Sequence, residues 1–266
     1  MSLEPADDTL LEAWKSEQLC LKARHIEQDQ VDFSVLVDAT ADGAAQADIC
    51  GLERVAGVDL SFYEDDDRHA VAALVVLSFP DMAVLYQDFT RVELHHPYKA
   101  GFLAFREAPP LLSLLQKLKI QAPELWPQIL LVDGNGTLHP RRFGLACHLG
   151  VLADLPTIGI GKNFLQIRDE GDQLTMETVK RTARASLQRG GQWFALTGSS
   201  GAVYGAAVRS LDSTQNPIFV STGHRIALAS AVAVALRCCR YRVPEPVRQA
   251  DQLSRAYIRQ TRVAAK

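Results

Sequence analysis

The feature that most constrains the fold is a short apolar run that ends in an acid and a glycine-rich loop. Residues 129–132 are Ile, Leu, Leu and Val, and they lead directly into Asp133, Gly134, Asn135 and Gly136. A buried central strand that ends in a carboxylate and continues into a flexible loop is a common way to present a metal ligand at the rim of a sheet. Because Asn-Gly is also a strong hairpin signal, this stretch alone leaves a plain turn open.

Alternating strand-like and helical segments predict a single α/β domain over residues 1–266. Runs at 55–62, 70–79 and 83–94 have strand composition and form an expected antiparallel meander. A helical stretch at 101–121 follows, in which Pro109-Pro110 predicts a kink or a fresh helix start. A further helix is expected near 144–153, and further strands at 128–132, 157–161, 193–197, 203–209 and 218–221. The pattern predicts a central mixed sheet flanked by helices.

The two ends of the chain differ strongly in charge. Residues 1–70 hold 17 Asp or Glu against 5 Lys or Arg, and we predict a helix at 8–28 and an acidic loop at 29–50. From residue 225 onward there are 9 Lys or Arg against two acids, on helices expected within 224–262. This basic end is suited to phosphates, although a solvated charged helix face is an equally simple interpretation.

Cysteine usage and hydropathy indicate a reduced protein of the cell interior. The cysteine count is five, without a CxxC pair, and no basic flank precedes an apolar run near the N-terminus. The longest apolar segments are too short to cross a bilayer. We expect a monomer without a membrane partner, located in the cytoplasm and also in the nucleus or nucleolus.

Three carboxylates lie where a hard cation could be held. Asp59 lies within the strand-like run at 55–62, among apolar neighbours, where a charge is costly unless it is paired or binds a metal. A buried Asp satisfied by Ser61 or a lysine is the alternative. Glu107, on the helix that the proline pair interrupts, could join Asp59 and Asp133 if their strands are neighbours. Carboxylates without a His or Cys cluster favour Mg²⁺ or Mn²⁺.

Lys162 could neutralise a phosphate beside these acids. The surrounding residues do not form a P-loop, because Pro156 stands where the first glycine is required and Asn163 where Ser or Thr is required. A serine-hydrolase elbow is excluded as well, since Ala202 replaces its closing glycine.

These segments together resemble the endonuclease V family. The matching motifs read VAGVD at 55–59, PYKAGFLAFRE at 97–107, VDGNG at 132–136, HPRRFG at 139–144, LPTIGIGK at 155–162, GHR at 223–225 and PEPVRQAD at 244–251. The similarity covers residues 10–259 in the right order. Toward the C-terminus it is closer to animal members than to bacterial ones.

The resemblance implies a ribonuclease H-like fold and Mg²⁺-dependent cleavage at the second phosphodiester bond 3′ to inosine. Animal members are associated mainly with inosine in RNA, and bacterial members with deaminated DNA. Carried over by motif, Asp59 and Asp133 are metal ligands, Glu107 is the catalytic glutamate and a third ligand, and Lys162 and His224 support catalysis. Asp251 is a further candidate for an acidic contact to the metal.

The resemblance also assigns residues to nucleic-acid contacts. Pro97 and Tyr98 match the wedge that replaces a displaced base, and a loop comprising Gly134, Asn135, Gly136 and His139 receives that base. Glycine amides there could read the six-position oxygen of hypoxanthine. Phosphate contacts are assigned to Arg106, Arg141, Arg142, Arg225 and Arg248. The arginines of the C-terminal region, including Arg255 and Arg259, are assigned partly to phosphates.

Simpler interpretations remain for single residues, and two motifs depart from the family pattern. Tyr98 could be a turn aromatic, His139 a loop anchor and His224 a structural hydrogen-bonding residue. Lys99-Ala100 follows Tyr98 where many bacterial members have Ile-Pro, which affects the stiffness of the wedge. Asn163 follows Lys162 where a second lysine is frequent, which removes one positive charge.

Three functional hypotheses follow from this sequence. The first is a metal-dependent endonuclease selective for inosine, in RNA and with deaminated DNA as a second substrate. The second is a binding module that recognises inosine without cleavage. The third is a nuclease of the same fold without base preference.

Overall fold

The computed structural model describes residues 5–39, 45–171 and 173–264. Its helices are α1 (Pro5–Lys22), α2 (Leu103–Gln121), α3 (Leu145–Ala153), α4 (Met176–Ser186), α5 (Leu228–Arg237) and α6 (Glu245–Ala264). Its strands are β1 (Ser34–Ala39), β2 (Ala45–Cys50), β3 (Arg54–Phe62), β4 (His69–Ser78), β5 (Val84–Glu93), β6 (Ile129–Asp133), β7 (Thr157–Gly161), β8 (Trp193–Thr197), β9 (Val203–Val208) and β10 (Ile218–His224). Short 3₁₀ turns occur at Pro123–Leu125 and Arg168–Glu170. Within the described ranges, no helix is both long and apolar enough to cross a membrane.

A mixed sheet organises the molecule. Its strand order is β5-β4-β3-β6-β7-β10-β9-β8, with β3, β6 and β7 parallel and the remaining pairs antiparallel. The central strands are nearly continuous apolar runs because both faces of the sheet are covered, whereas edge strand β5 alternates between exposed and half-buried residues. The expectation of a mixed sheet flanked by helices is confirmed.

Helices cover the two faces of the sheet with separate apolar cores. On one face, Val58, Leu74 and Leu130 pack against α2 and α3. On the other face, Leu131 and Ile160 belong to a core with α5 and the start of α6. Burial of the apolar surface in these two cores is the main favourable contribution to folding.

Gly57, in the middle of β3, determines how closely α6 can approach the sheet. A Cβ atom at this position would come within 2.1 Å of the backbone of Pro246, at the start of α6. Glycine therefore lets the helix backbone rest directly on the strand. This close packing brings the next turns of α6 to the end of β3, where the candidate site lies.

Several expected elements differ from the structure. Residues 34–50, expected as an acidic loop, contain the antiparallel pair β1–β2, and α1 ends at Lys22 rather than at 28. α2 runs through Pro109 and Pro110 without a fresh start, so the carbonyls of Phe105 and Arg106 lose their helical donors. The C-terminal helices are α5 and α6, and residues 224–227 precede α5, with His224 ending β10 instead of starting a helix.

A candidate metal centre between three connected clefts

Three aspartates meet at the end of the central strands. β3 and β6 are parallel neighbours, and the pairing of Val58 with Val132 places the next residue of each strand, Asp59 and Asp133, at the same level. Asp251 reaches them from the second turn of α6. One oxygen from each carboxylate lies within 4.8 Å of the others. We call these three residues the aspartate cluster.

Asp59 is the most buried member of the cluster, with 6% of its surface exposed. Ser61 Oγ donates to its carboxylate at 3.1 Å and Ser254 Oγ at 3.4 Å. Burial, together with the neighbouring Asp133, raises the pKa of Asp59 to about 7. The simpler interpretation of Asp59, a buried acid satisfied by Ser61, correctly predicts this hydrogen bond. The bond does not remove the repulsion between the clustered acids.

Lys162 supplies the positive charge inside the cluster. Its Nζ lies 2.6 Å from Asp133 Oδ2 and 3.3 Å from Asp251 Oδ1. Burial by itself would lower the pKa of Lys162, but the charges of the three aspartates raise it above its ordinary value. Arg255 Nε makes a second cationic contact, 2.9 Å from Asp251 Oδ1. Three carboxylates against two cations leave an oxygen-rich, negatively charged site that fits a hard divalent cation.

Glu107 lies beside the aspartate cluster rather than in it. It is 8% exposed on the first turns of α2 and does not belong to the 4.8 Å carboxylate group. Burial, followed by the charge of Asp59, raises its pKa to about 8. Among the described residues, the structure thus brings Asp251 and not Glu107 together with Asp59 and Asp133, which departs from the expected ligand set.

Three clefts meet at this position and share lining residues. The first, of about 490 Å³, contains the aspartate cluster together with Arg255 and Arg259 of α6; we call it the aspartate cleft. The second, of about 540 Å³, is lined by Tyr98, Arg106, Glu107, Phe62 and the acidic turn at 65–67; we call it the Tyr98 cleft. Phe62 lines both, so these two clefts adjoin each other.

The third cleft, of about 440 Å³, runs along one face of α4 and begins at Lys162; we call it the α4 cleft. α4 was not expected from the sequence. Its apolar residues at 176, 179 and 183 have helical spacing, and Thr175 caps it by accepting from the amide of Thr178 at 3.2 Å. This cap and this spacing are the signal that would have predicted the helix.

The proposed wedge residue is exposed at the rim of its cleft. Tyr98 follows Pro97, which is also exposed, and has 64% of its surface accessible. A tyrosine ring in such a position is available to stack on a base, since its apolar face is not used by the core.

The glycine-rich loop is held by its own backbone. Gly134 N–H donates to Ile160 O at 3.1 Å, and Gly136 N–H donates to Ser221 Oγ at 2.9 Å. A Cβ at Gly136 would lie 2.0 Å from Thr222 O, so the glycine is required by the packing of the loop on β10. These two amides already have acceptors, and base recognition through them is a prediction that the structure does not support.

The two histidines carried over by motif have structural contacts. His139 is 7% exposed, accepts from the Arg141 amide at 3.2 Å and lies 3.1 Å from Gly101 O, as expected for a loop anchor. His224 Nδ1 accepts from the Ile26 amide at 3.3 Å and its ring stacks on that of His25. It ends β10 opposite Thr157, at the end of β7 that is remote from Lys162. Burial lowers the pKa of both His139 and His224 to about 4.

Of the five arginines assigned to phosphates, four are used within the protein. Arg141 donates to Gly101 O and Gln18, and Arg142 forms a two-pronged contact with Glu27. Arg225 pairs with Asp154 and Arg248 with Glu245. The fifth, Arg106, is 6% exposed, lies 5.2 Å from the Phe62 ring centre and lines the Tyr98 cleft. Arg255 and Arg259 are exposed and line the aspartate cleft, where Arg255 Nε also donates to Asp251 Oδ1 at 2.9 Å.

Comparisons with known proteins agree with this geometry. A sequence model of the endonuclease V family matches residues 37–252. Mouse endonuclease V is 48% identical over 257 residues, covering 97% of this chain and 72% of the relative. The catalytic domain of human endonuclease V superposes with a TM-score of 0.83 at 46% identity, covering 95% of this chain and 97% of that one.

A complex from another animal shows a relative with nucleic acid. Endonuclease V of Ciona intestinalis, solved with a 23mer DNA containing an inosine followed by a ribo-adenosine, superposes with a TM-score of 0.85 at 34% identity, covering 96% and 99% of the two chains. The ribonuclease H-like fold expected from the motifs is confirmed by these neighbours. By sequence match, coverage and fold, the chain belongs to the endonuclease V family.

Proposed function

We propose that this protein is a divalent-metal-dependent endonuclease that cleaves the second phosphodiester bond 3′ to an inosine. RNA is its preferred substrate and deaminated DNA a second one. The observation that carries the proposal is the aspartate cluster in its cleft, with the Tyr98 cleft and the α4 cleft next to it. This arrangement combines a cation site with room for a strand on either side. Family membership and the inosine-containing strand bound by the Ciona relative support it.

Asp59, Asp133 and Asp251 would hold the ion, Mg²⁺ or in its place Mn²⁺. When bound, such an ion lowers the pKa of water and stabilises negative charge on the leaving oxygen of a phosphodiester. The fit rests on this chain's own donors: three carboxylates in one group, of which Asp59 has a pKa raised to about 7 by burial and by Asp133. A divalent cation would remove the repulsion that raises it.

Three other residues have roles that follow from their positions. Lys162 lines both the aspartate cleft and the α4 cleft, and its Nζ, beside Asp133 and Asp251, would contact the negatively charged phosphate of a strand bound at the cluster. Glu107, buried beside the cluster, would hold or release a proton on its carboxylate near neutral pH, since its pKa is raised to about 8. Tyr98 would stack against a base at the entrance of its cleft.

The preference for RNA rests on the animal relatives. Mouse and human endonuclease V are 48% and 47% identical to this chain over 257 residues, and the motifs of the C-terminal region resemble those of animal members. We further propose that the protein acts as a monomer in the cytoplasm and the nucleus, without a membrane partner.

Matched strands that carry one inosine or one adenosine test this function. We expect Mg²⁺-dependent cutting of end-labelled inosine RNA at the second bond on its 3′ side, slower cutting of the same sequence as DNA, and Mn²⁺ in place of Mg²⁺ to retain activity. The products are resolved on a denaturing gel. Equal cutting of the adenosine strand would indicate a nuclease without base preference, and binding without a product would indicate a non-cleaving inosine reader.

Tyr98→Ala is expected to lower kcat/KM for the inosine strand roughly tenfold, because base–aromatic stacking contributes about 1–3 kcal/mol. The thermal stability should be unchanged, since the ring is mostly exposed. Tyr241→Ala removes a tyrosine of similar exposure, 57%, outside the three clefts, and serves as the matched control. If both variants cut the inosine strand at the wild-type rate, Tyr98 is not a wedge.

A further inference from the structure

We propose that the α4 cleft binds the nucleotides of the substrate strand that follow the cleaved bond on its 3′ side. The proposal rests on the proposed function, because it assigns a second binding site for the same strand. The cleft has a volume of about 440 Å³ and lies between α4 and the segments that follow β7 and precede β10. The comparisons and the motifs assign no role to it.

The position of the cleft next to the aspartate cleft gives it a place along the strand. Lys162 lines both the α4 cleft and the aspartate cleft, and Phe62 lines both the aspartate cleft and the Tyr98 cleft. A strand can therefore pass from Tyr98 over the aspartates and past Lys162 to α4. If the inosine lies on the Tyr98 side and the cut is on its 3′ side, the next nucleotides lie along α4.

The floor of the cleft is apolar and partly aromatic. Phe164 and Phe219 lie with their ring centres 5.4 Å apart, and both are largely buried. Val179 and Ala183 of α4 extend this floor from the opposite side. The two rings are tilted by 51° to each other, and the apolar surface that they line can contact a base without selecting its identity.

The rim of the cleft is cationic. Lys180 and Arg184 are exposed and lie one helical turn apart on α4, a spacing that places both side chains over the same edge. Arg242 is held at the other edge, where its guanidinium donates to Lys162 O at 2.5 Å and to Pro217 O at 3.0 Å. As far as the structure describes the chain, no carboxylate lines this cleft, in contrast to the aspartate cleft.

Polar amides complete the lining. Asn163, Gln215 and Asn216 border the cleft and are exposed. Cations for the phosphates, an apolar floor for the base and amides at the edges together fit a single-stranded nucleotide segment. The adjoining site, proposed to cleave phosphodiesters, favours nucleic acid over an acidic peptide as the occupant.

The test combines a change in the protein with a change in strand length. One inosine RNA ends one nucleotide after the cleaved bond, and a second carries four more nucleotides at its 3′ end. Dissociation constants are measured by fluorescence anisotropy in EDTA for the wild type, for Lys180→Glu/Arg184→Glu, and for Arg181→Glu. The last variant is the control, because Arg181 is exposed on α4 and does not line the cleft.

We expect the longer strand to bind the wild type and the Arg181→Glu control about tenfold more tightly than the short strand. The double variant should lose this gain. Its binding to the long strand should also depend less on salt: the slope of log K against log salt concentration should fall in magnitude by about 1.4, because each phosphate contact on a single strand contributes about 0.7. When the four added nucleotides are replaced by abasic sugar–phosphates, the increase in affinity over the short strand should be smaller by a factor of at least about three, because an abasic unit has no base to stack.

The proposal is overturned if the double variant binds the longer strand with the same gain as the wild type, or if the wild type shows no gain. Cleavage of the longer strand in Mg²⁺ is measured separately. Its absence would refute the proposed endonuclease, whereas normal cleavage without the length-dependent gain would refute the α4 site alone.

Discussion

Replacing Asp59 by Asn is expected to reduce strand cleavage by roughly 10³-fold or more and to make the metal-free protein more stable at pH 8. Loss of one member of a group that acts as a unit has effects of this order on turnover. The gain in stability has a different cause. Asp59 is 6% exposed and lies beside two other aspartates, so its negative charge is unfavourable when no cation is bound.

The pH dependence of this gain follows from the pKa of Asp59. Burial and Asp133 raise the pKa from about 3.8 to about 7, so the folded protein binds a proton that the unfolded chain has lost. Asp59 therefore contributes stability at low pH that is lost as the pH rises through 7. Asn carries no charge, so the variant should exceed the wild type by roughly 1–3 kcal/mol above pH 7 and lose this advantage near pH 4.

Thermal melts in EDTA from pH 4 to 8, with cleavage assays in Mg²⁺, check both expectations. Asp212→Asn is a suitable control, because Asp212 is exposed and accepts from Gly190 N–H through one oxygen that Asn retains. It should leave cleavage and melting unchanged. A destabilised Asp59→Asn protein at pH 8, or one that still cuts, would contradict the role given to this carboxylate.

Glu107→Gln is expected to lower turnover by about 10²–10⁴-fold without changing the Mn²⁺ concentration at half-maximal activity. Proton transfer by a positioned carboxyl contributes on this scale. Glu107 lies outside the aspartate group, so its removal should leave the cation ligands in place. Residual activity should therefore not recover when more Mn²⁺ is added.

Asp251→Asn provides the contrast on the same assay. Asp251 belongs to the aspartate group, so the variant should need about tenfold or more Mn²⁺ and recover activity as the concentration rises. Isothermal titration calorimetry with Mn²⁺ measures the same difference without turnover. If Glu107→Gln weakens Mn²⁺ binding and Asp251→Asn does not, the ligand set expected from the sequence is correct and the one drawn from the geometry is wrong.

The expected meeting of Asp59 and Asp133 illustrates what local patterns can predict. Asp59 lies in the second half of one apolar strand and Asp133 ends another, and parallel neighbours place their carboxyl ends at the same edge of a sheet. The structure confirms this pairing through the register of Val58 with Val132. Lys162, two residues after Ile160, reaches the same edge for the same reason, because β7 is parallel to β6.

Side chains on separate helices were harder to assign. Asp251 enters the aspartate group because α6 rests on Gly57, a contact between residues distant in the chain. The arginines were hard to assign for the same reason. The motifs assign them to phosphates, but in the fold Glu27, Asp154 and Glu245 lie beside three of them and form ion pairs. The hairpin at 34–50 was missed because its acidic, Ala-rich sequence lacks strand periodicity.

The sequence by itself determined the family, the order of the main strands, and the two aspartates and the lysine at their ends. These features depend on short sequence patterns, which determine the backbone hydrogen bonding of a segment and the face of the strand or helix on which each side chain lies. Only the tertiary structure decided that Asp251 joins the aspartates, that four assigned arginines have internal partners, and that α4 borders a cationic cleft beside Lys162. Those outcomes depend on which helix face packs against which strand, and that choice is made by contacts between residues far apart in the chain.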